Sequence, residues 1–237
     1  MRPVLTTATC ACSVLLGVTG ALQGQRTELR LAGILWPAGR TVAHHDPVGG
    51  TVPTWAEATS TLRGAELVAR GPGAGIMIRY SDGGFGAGAG DLSSGNVRSL
   101  EGVLLGGPRQ FSIQAGYVRY SYVGLFEDGS ESLFKGGVQS WVPLGPSGLT
   151  VHFAGAVRLR WGEEDPSGER LNLVGWDAST GVLYQAPRGL PFFIMFGYEL
   201  TRHKPLPTSL PEPTLDGLET REELRGVFVR LGVRYVK

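Results

Sequence analysis

From Gly148 to Trp161 the side chains sort by parity. Leu149, Val151, Phe153, Gly155, Val157, Leu159 and Trp161 fall on one side, and Thr150, His152, Ala154, Ala156, Arg158 and Arg160 on the other. A period of two predicts a β-strand with one apolar and one polar face, longer than the roughly five or six residues of an ordinary globular strand. A closed antiparallel barrel in a membrane accounts for such length, because a tilted strand needs roughly 9 to 11 residues to cross the lipid.

The same period recurs along the chain. Thr27 to Trp36 sets Leu29, Leu31, Gly33 and Leu35 against Glu28, Arg30 and Ala32, and Pro37 is expected to end that strand because proline cannot donate to a ladder. A long connection from Ala38 to about Leu62 follows. Arg63 to Arg70 and Ala74 to Phe85 are joined by Gly71-Pro72-Gly73, a strong turn signal. Val97 to Leu105, Arg109 to Val123, Ser132 to Val142, Leu171 to Gln185, Leu190 to Thr201 and Arg221 to Val236 complete ten candidate strands. In the eighth, Val174, Trp176, Ala178, Thr180, Val182 and Tyr184 form the apolar face. The second and third strands carry the weakest pattern, so eight is the alternative count.

The connections alternate between long and short, which predicts an up-and-down barrel with short turns at one end and longer loops at the other. The expected fold class is therefore an all-β, antiparallel up-and-down transmembrane barrel, occupying residues 25–237 as one domain. Residues 1–24 read as a cleaved secretory signal peptide: Arg2 is the positive start, Ser13 to Leu22 the apolar segment, and Ala21 and Gly24 the small residues near the cleavage site. Both cysteines, Cys10 and Cys12, lie inside it, so the mature chain has neither a disulfide framework nor a thiolate metal site.

Composition narrows the classes. The 37 glycines far exceed the usual frequency of about 7%. After the N-terminal segment there is no long unbroken apolar run of the kind a membrane helix needs. A net charge of +1 supplies no basic excess for nucleic acid.

Alternation alone does not say which face points outward. The polar face carries small residues (Gly116, Gly137, Ala154, Ala156, Gly175, Gly181, Gly197 and Gly232) among arginines, as a crowded lumen requires. Trp36, Tyr80, Tyr122, Trp141, Trp161, Tyr184 and Tyr235, near strand ends, suit interfacial girdles. Arg119 falls on the apolar parity and is expected near a membrane surface or at a bulge.

With its signal segment, meander and amphipathic closing strand from Gly226 to Lys237, the chain resembles the broad class of bacterial outer-membrane β-barrel proteins. The resemblance implies a Gram-negative outer-membrane location, contact with membrane lipid and assembly by an outer-membrane insertion machinery. That class usually ends in an aromatic residue, whereas this chain ends Tyr235-Val236-Lys237.

The expected lumen holds Glu28, Arg30, Glu66, Arg70, Arg79, Glu101, Lys135, His152, Arg158, Arg160, Asp177, Glu199, Arg230 and Arg234. They form either an ion-pair network that fills a narrow barrel or, since bases outnumber acids, an anion-favouring, porin-like pore. No catalytic residue, metal site or cofactor is predicted, and the chain is expected to be a monomer with any surface ligand on its long loops. His152 lies on the wrong face for lipid chemistry, His203 stands at a loop start, and neighbouring histidines in His44-His45-Asp46 point apart in an extended chain. Glu163, Glu164 and Asp165 read as a solvated acidic loop, and Gly83 to Gly90 lacks the context of a phosphate loop. The rival readings are a secreted soluble barrel around an apolar ligand and a surface hydrolase.

Overall fold

A computed structural model describes residues 27–45, 54–85, 95–123, 129–145, 148–161, 171–186, 190–203 and 219–237. The expected signal segment, Asp46, most of the glycine-rich run and the acidic loop lie outside these residues.

Ten strands form one closed barrel: β1 (Glu28–His45), β2 (Thr54–Arg70), β3 (Ala74–Phe85), β4 (Gly95–Gly106), β5 (Phe111–Val123), β6 (Gly129–Pro143), β7 (Leu149–Trp161), β8 (Leu171–Gln185), β9 (Phe192–His203) and β10 (Glu219–Val236). Each strand pairs antiparallel with its sequence neighbours, and β1 closes the ring on β10. Partner residues starting at Arg63 run through Asp82, Arg98 and Ser121 to Ser130 of β6. The opposite path, through Leu35, Val229, Phe196, Val182 and Val151, reaches Val142, twelve residues farther along β6. That offset corresponds to a strand tilt of about 40° at ordinary strand spacings.

The apolar parity faces outward. Leu104, Ile113, Phe153, Trp161, Leu173 and Leu231 are exposed, whereas Glu66, Arg158 and Arg230 are 2–3% accessible. This arrangement is the inverse of a soluble barrel that encloses an apolar ligand, and that reading is set aside.

Three expectations are corrected. β1 does not stop at Pro37: it continues to His45, paired to β2 as far as His44 opposite Thr54, so the connection predicted from Ala38 to Leu62 is mostly a paired hairpin. Proline is tolerated because it removes a rung only on the β10 side, where pairing skips from Leu35–Val229 to Ala38–Gly226. His44 and His45 accordingly belong to the end of β1. Trp36 and Trp141 are not girdle residues but lie buried in the lumen, while Tyr80, Trp161, Tyr184 and Tyr235 do face outward. Val174 also points inward. Arg158 pairs with Gly175 but Leu159 with Leu173, so Val174 is the extra residue of a β-bulge, and beyond it Leu173 takes the outward position. Arg119 sits in an unshifted register, outward and exposed, and donates to Ser130 Oγ at 3.4 Å.

Candidate functional site

The lumen is filled in layers. Toward the loops, Trp36, Leu62, Val97, Tyr120, Leu133 and Leu224 pack as an apolar cap. Toward the turns, Val68, Met77, Val103 and Leu105 form a smaller apolar cluster. Between them lies an ionic layer built by register: Glu66 stands opposite Arg79, and Arg79 opposite Glu101.

Glu66 is the common ion-pair partner of three arginines from three strands. Arg230 Nη1 lies 3.0 Å from it, Arg79 Nε 3.4 Å and Arg30 Nη2 3.6 Å. Arg79 also reaches from β3 to β9, where its Nη1 meets Glu199 Oε1 at 2.8 Å. A second group centres on Lys135 and Asp177. Lys135 Nζ is 2.8 Å from Glu101 and 2.5 Å from Asp177, while Arg158 Nε donates to Asp177 at 2.9 Å and its Nη2 to Thr201 at 3.4 Å. Lys135 and Arg158 are direct cross-strand neighbours, a pairing that repels unless an anion intervenes, and Asp177 supplies it.

Above this layer Arg160 pairs with Glu131. At the turn end, Glu28 receives Arg234 at 2.9 Å and Arg109 at 3.4 Å. Arg70 there donates to the Gly107 carbonyl at 2.8 Å and to Ser112 Oγ at 2.7 Å. Gly107 can take this turn because its φ of 100° carries no side-chain penalty. Flat cations are stacked as well as paired: Arg30 lies 4.6 Å from the Trp141 ring and Arg230 4.5 Å from Phe228. His152 packs against the other component of this stack, its ring 4.1 Å from that of Trp141, so it is a wall residue enclosed within the barrel.

The structure places the polar residues expected in the lumen on the inner face, and ion pairs gather most of them into separate groups around Glu66, Asp177, Glu131 and Glu28. Sequence reasoning missed Glu131, which precedes the strand expected from Ser132 to Val142 and lies inside β6. Its parity with Leu133 and Lys135 was the available signal. It also missed Arg109, which the strand expected from Arg109 to Val123 puts on the apolar parity of Phe111; β5 begins at Phe111, and Arg109 approaches Glu28 from the turn before it. Two small cavities of about 30 Å³ each remain in the lumen, one lined by Arg30, Glu66, Arg79, Lys135, His152 and Asp177, among others, and one nearer the loops between Trp36, Leu62, Tyr120 and Arg158. One water needs roughly 10 to 15 Å³, so each of these volumes holds a water or two. Among the described residues, no group of three His, Cys, Asp or Glu side chains is placed to hold a metal ion.

No family model matches the chain, and no curated protein matches it. Solved structures with a similar fold include the translocator domain of the autotransporter NalP from Neisseria meningitidis, at 13% identity and a TM-score of 0.39, covering 94% of this chain and 95% of that one. The outer membrane protease OmpT from Escherichia coli is 9% identical with a TM-score of 0.44, covering 90% and 97%. A Pseudomonas aeruginosa FadL homologue is 8% identical with a TM-score of 0.26, covering 90% of each chain.

Proposed function

We propose that this protein is a monomeric, non-enzymatic outer-membrane barrel whose lumen is a structural plug and whose work is done at its loop end, as a surface-interaction or anchoring barrel. The observation that carries this reading is the Arg79–Glu199 bridge across the lumen, in a layer whose residual cavity is about 30 Å³. A solute path through that layer requires several buried ion pairs to break together, and each leaves charges without partners. The continuous outward apolar face supports insertion in lipid, with a cleaved signal segment and the outer-membrane insertion machinery delivering the chain there. The short turns then face the periplasm and the long connections the exterior.

Planar-bilayer recording on the refolded full-length chain tests this. Wild type is expected to show boiling-dependent gel migration, as a stable inserted barrel does, and no stepwise conductance. A variant carrying Glu66→Ala, Arg79→Ala and Arg230→Ala is expected to conduct if it folds. Steady conductance steps in wild type would make the lumen a pore and end the plug reading.

A further inference from the structure

Among the described residues, seven outward-facing charged side chains occupy one end of the barrel wall: Arg63, Asp82, Arg98, Arg119, Arg202, Glu223 and Arg225. Arg63, Asp82 and Arg98 are successive cross-strand partners on β2, β3 and β4, and Arg119 stands beside Leu100 on β5. On the other flank Glu223 partners Arg202, and Arg225 partners Leu200. With about 3.3 Å per residue and a tilt of about 40°, the registers put all seven Cα atoms within a band about 10 Å tall. That band coincides with the upper edge of the apolar wall. Between it and the turns, no described strand residue facing outward carries a charge.

The collar is strongly biased, with five arginines against two carboxylates. Arg98 meets Asp82 at 3.4 Å, and Arg202 and Arg225 share Glu223 at 2.5 and 3.7 Å. Arg119 has the Ser130 hydroxyl. The side chains of Arg98, Arg202 and Arg225 remain about half exposed. Arg202 also lies 5.7 Å above the outward ring of Trp176, an aromatic set at the height where an apolar layer meets water.

Acyl chains that cover Leu100, Tyr117 and Val227 bring their headgroups to this height. Guanidinium groups there offer forked donors to phosphate oxygens, the geometry in which arginine exceeds lysine. We infer that the collar binds the phosphate groups of anionic lipids in the leaflet at the loop end, wrapping an arc from β9 through β10, β1 and β2 to β5. The inference rests on the membrane reading above and adds to it a specific lipid chemistry and a sidedness. A soluble polyanion would need no alignment with the apolar edge.

The test uses the full-length barrel folded into phosphatidylcholine vesicles, with and without a diphosphorylated disaccharide lipid or its dephosphorylated counterpart. Lipid retained after detergent extraction and washing is the readout. Boiling-dependent migration in pure phosphatidylcholine reports separately whether the barrel inserts, so loss of the membrane reading is distinguishable from loss of this one. Wild type is expected to retain the phosphorylated lipid selectively, and less of it as salt rises. Replacing Arg63→Gln, Arg98→Gln and Arg119→Gln together should leave insertion intact and cut retention roughly a hundredfold, the combined effect of three such charges near a headgroup surface. Lys237→Gln, at the opposite end, should leave retention unchanged. Equal retention by wild type and the triple variant, or equal retention of the dephosphorylated lipid, overturns the inference. Full displacement by inorganic phosphate at matched phosphate concentration also overturns it, because the collar then recognises a soluble anion.

Discussion

Gly136 and Gly137 are joined by one peptide bond and live under opposite constraints. A Cβ added at Gly136, on the outer face of β6, meets no atom within 4 Å. At Gly137, on the inner face, it runs into the Gly155 carbonyl oxygen and lies 2.6 Å from the Ala156 Cβ. The same contrast repeats on β7 between exposed Val157 and buried Arg158, which is held by Asp177 and Thr201 and lies 5.1 Å from the Tyr120 ring. The outer wall asks only for apolar character at roughly the right height. The inner wall asks for particular atoms at particular places, because its groups are desolvated and each depends on its partners.

The largest effect should come from the shared carboxylate. Glu66→Ala removes the carboxylate that Arg30, Arg79 and Arg230 share and is expected to cost about 3–5 kcal/mol in urea unfolding from vesicles. Adding Arg230→Leu should recover part of that loss; if it deepens the loss instead, Glu199 and Phe228 hold Arg230 more strongly than Glu66 does. On the outer face, Val138→Arg near the middle of the apolar band should cost about 2–4 kcal/mol and lower the inserted fraction, whereas Val138→Leu should be silent. Equal insertion of both variants would mean that this face does not meet lipid.

The glycine pair sharpens the comparison at the scale of one methyl group. Gly137→Ala should cost about 1–3 kcal/mol through overpacking, and Gly136→Ala close to nothing, measured as the shift in urea midpoint. The smallest effect belongs to the loop-end surface: Asp82→Asn opens an exposed pair with Arg98 and should change stability by at most about 1 kcal/mol, less at high salt. A loss comparable with that of Glu66→Ala would erase the distinction between the two faces.

Much of this wall was legible in the residues. Parity sorted Arg158 from Val157 and Asp177 from Trp176 because a strand alternates its side chains without exception until a bulge intervenes. Turn chemistry at Gly71-Pro72-Gly73 marked a hairpin for the same local reason. Where the reading failed, the deciding interaction was not local. Pro37 reads as a terminator, yet β1 runs through it because pairing with β2 is uninterrupted and the other side loses its pairing only at Trp36 and Pro37. Val174 reads as outward by parity, and the bulge opposite Arg158 and Leu159 reverses it.

The closed ring, its strand order and the split between an apolar and an ionic face follow from alternation, turn residues and connection lengths, all of which are properties of neighbouring residues. Which charges meet across the lumen does not. Arg79 and Glu199 are 120 positions apart in the chain, and only the stagger of ten tilted strands brings them to 2.8 Å. The same stagger aligns Arg63, Arg98 and Arg119 with Arg202 and Arg225 in one collar. Composition can supply the charges, but which of them meet is set by register around a closed ring, a quantity that no single strand contains.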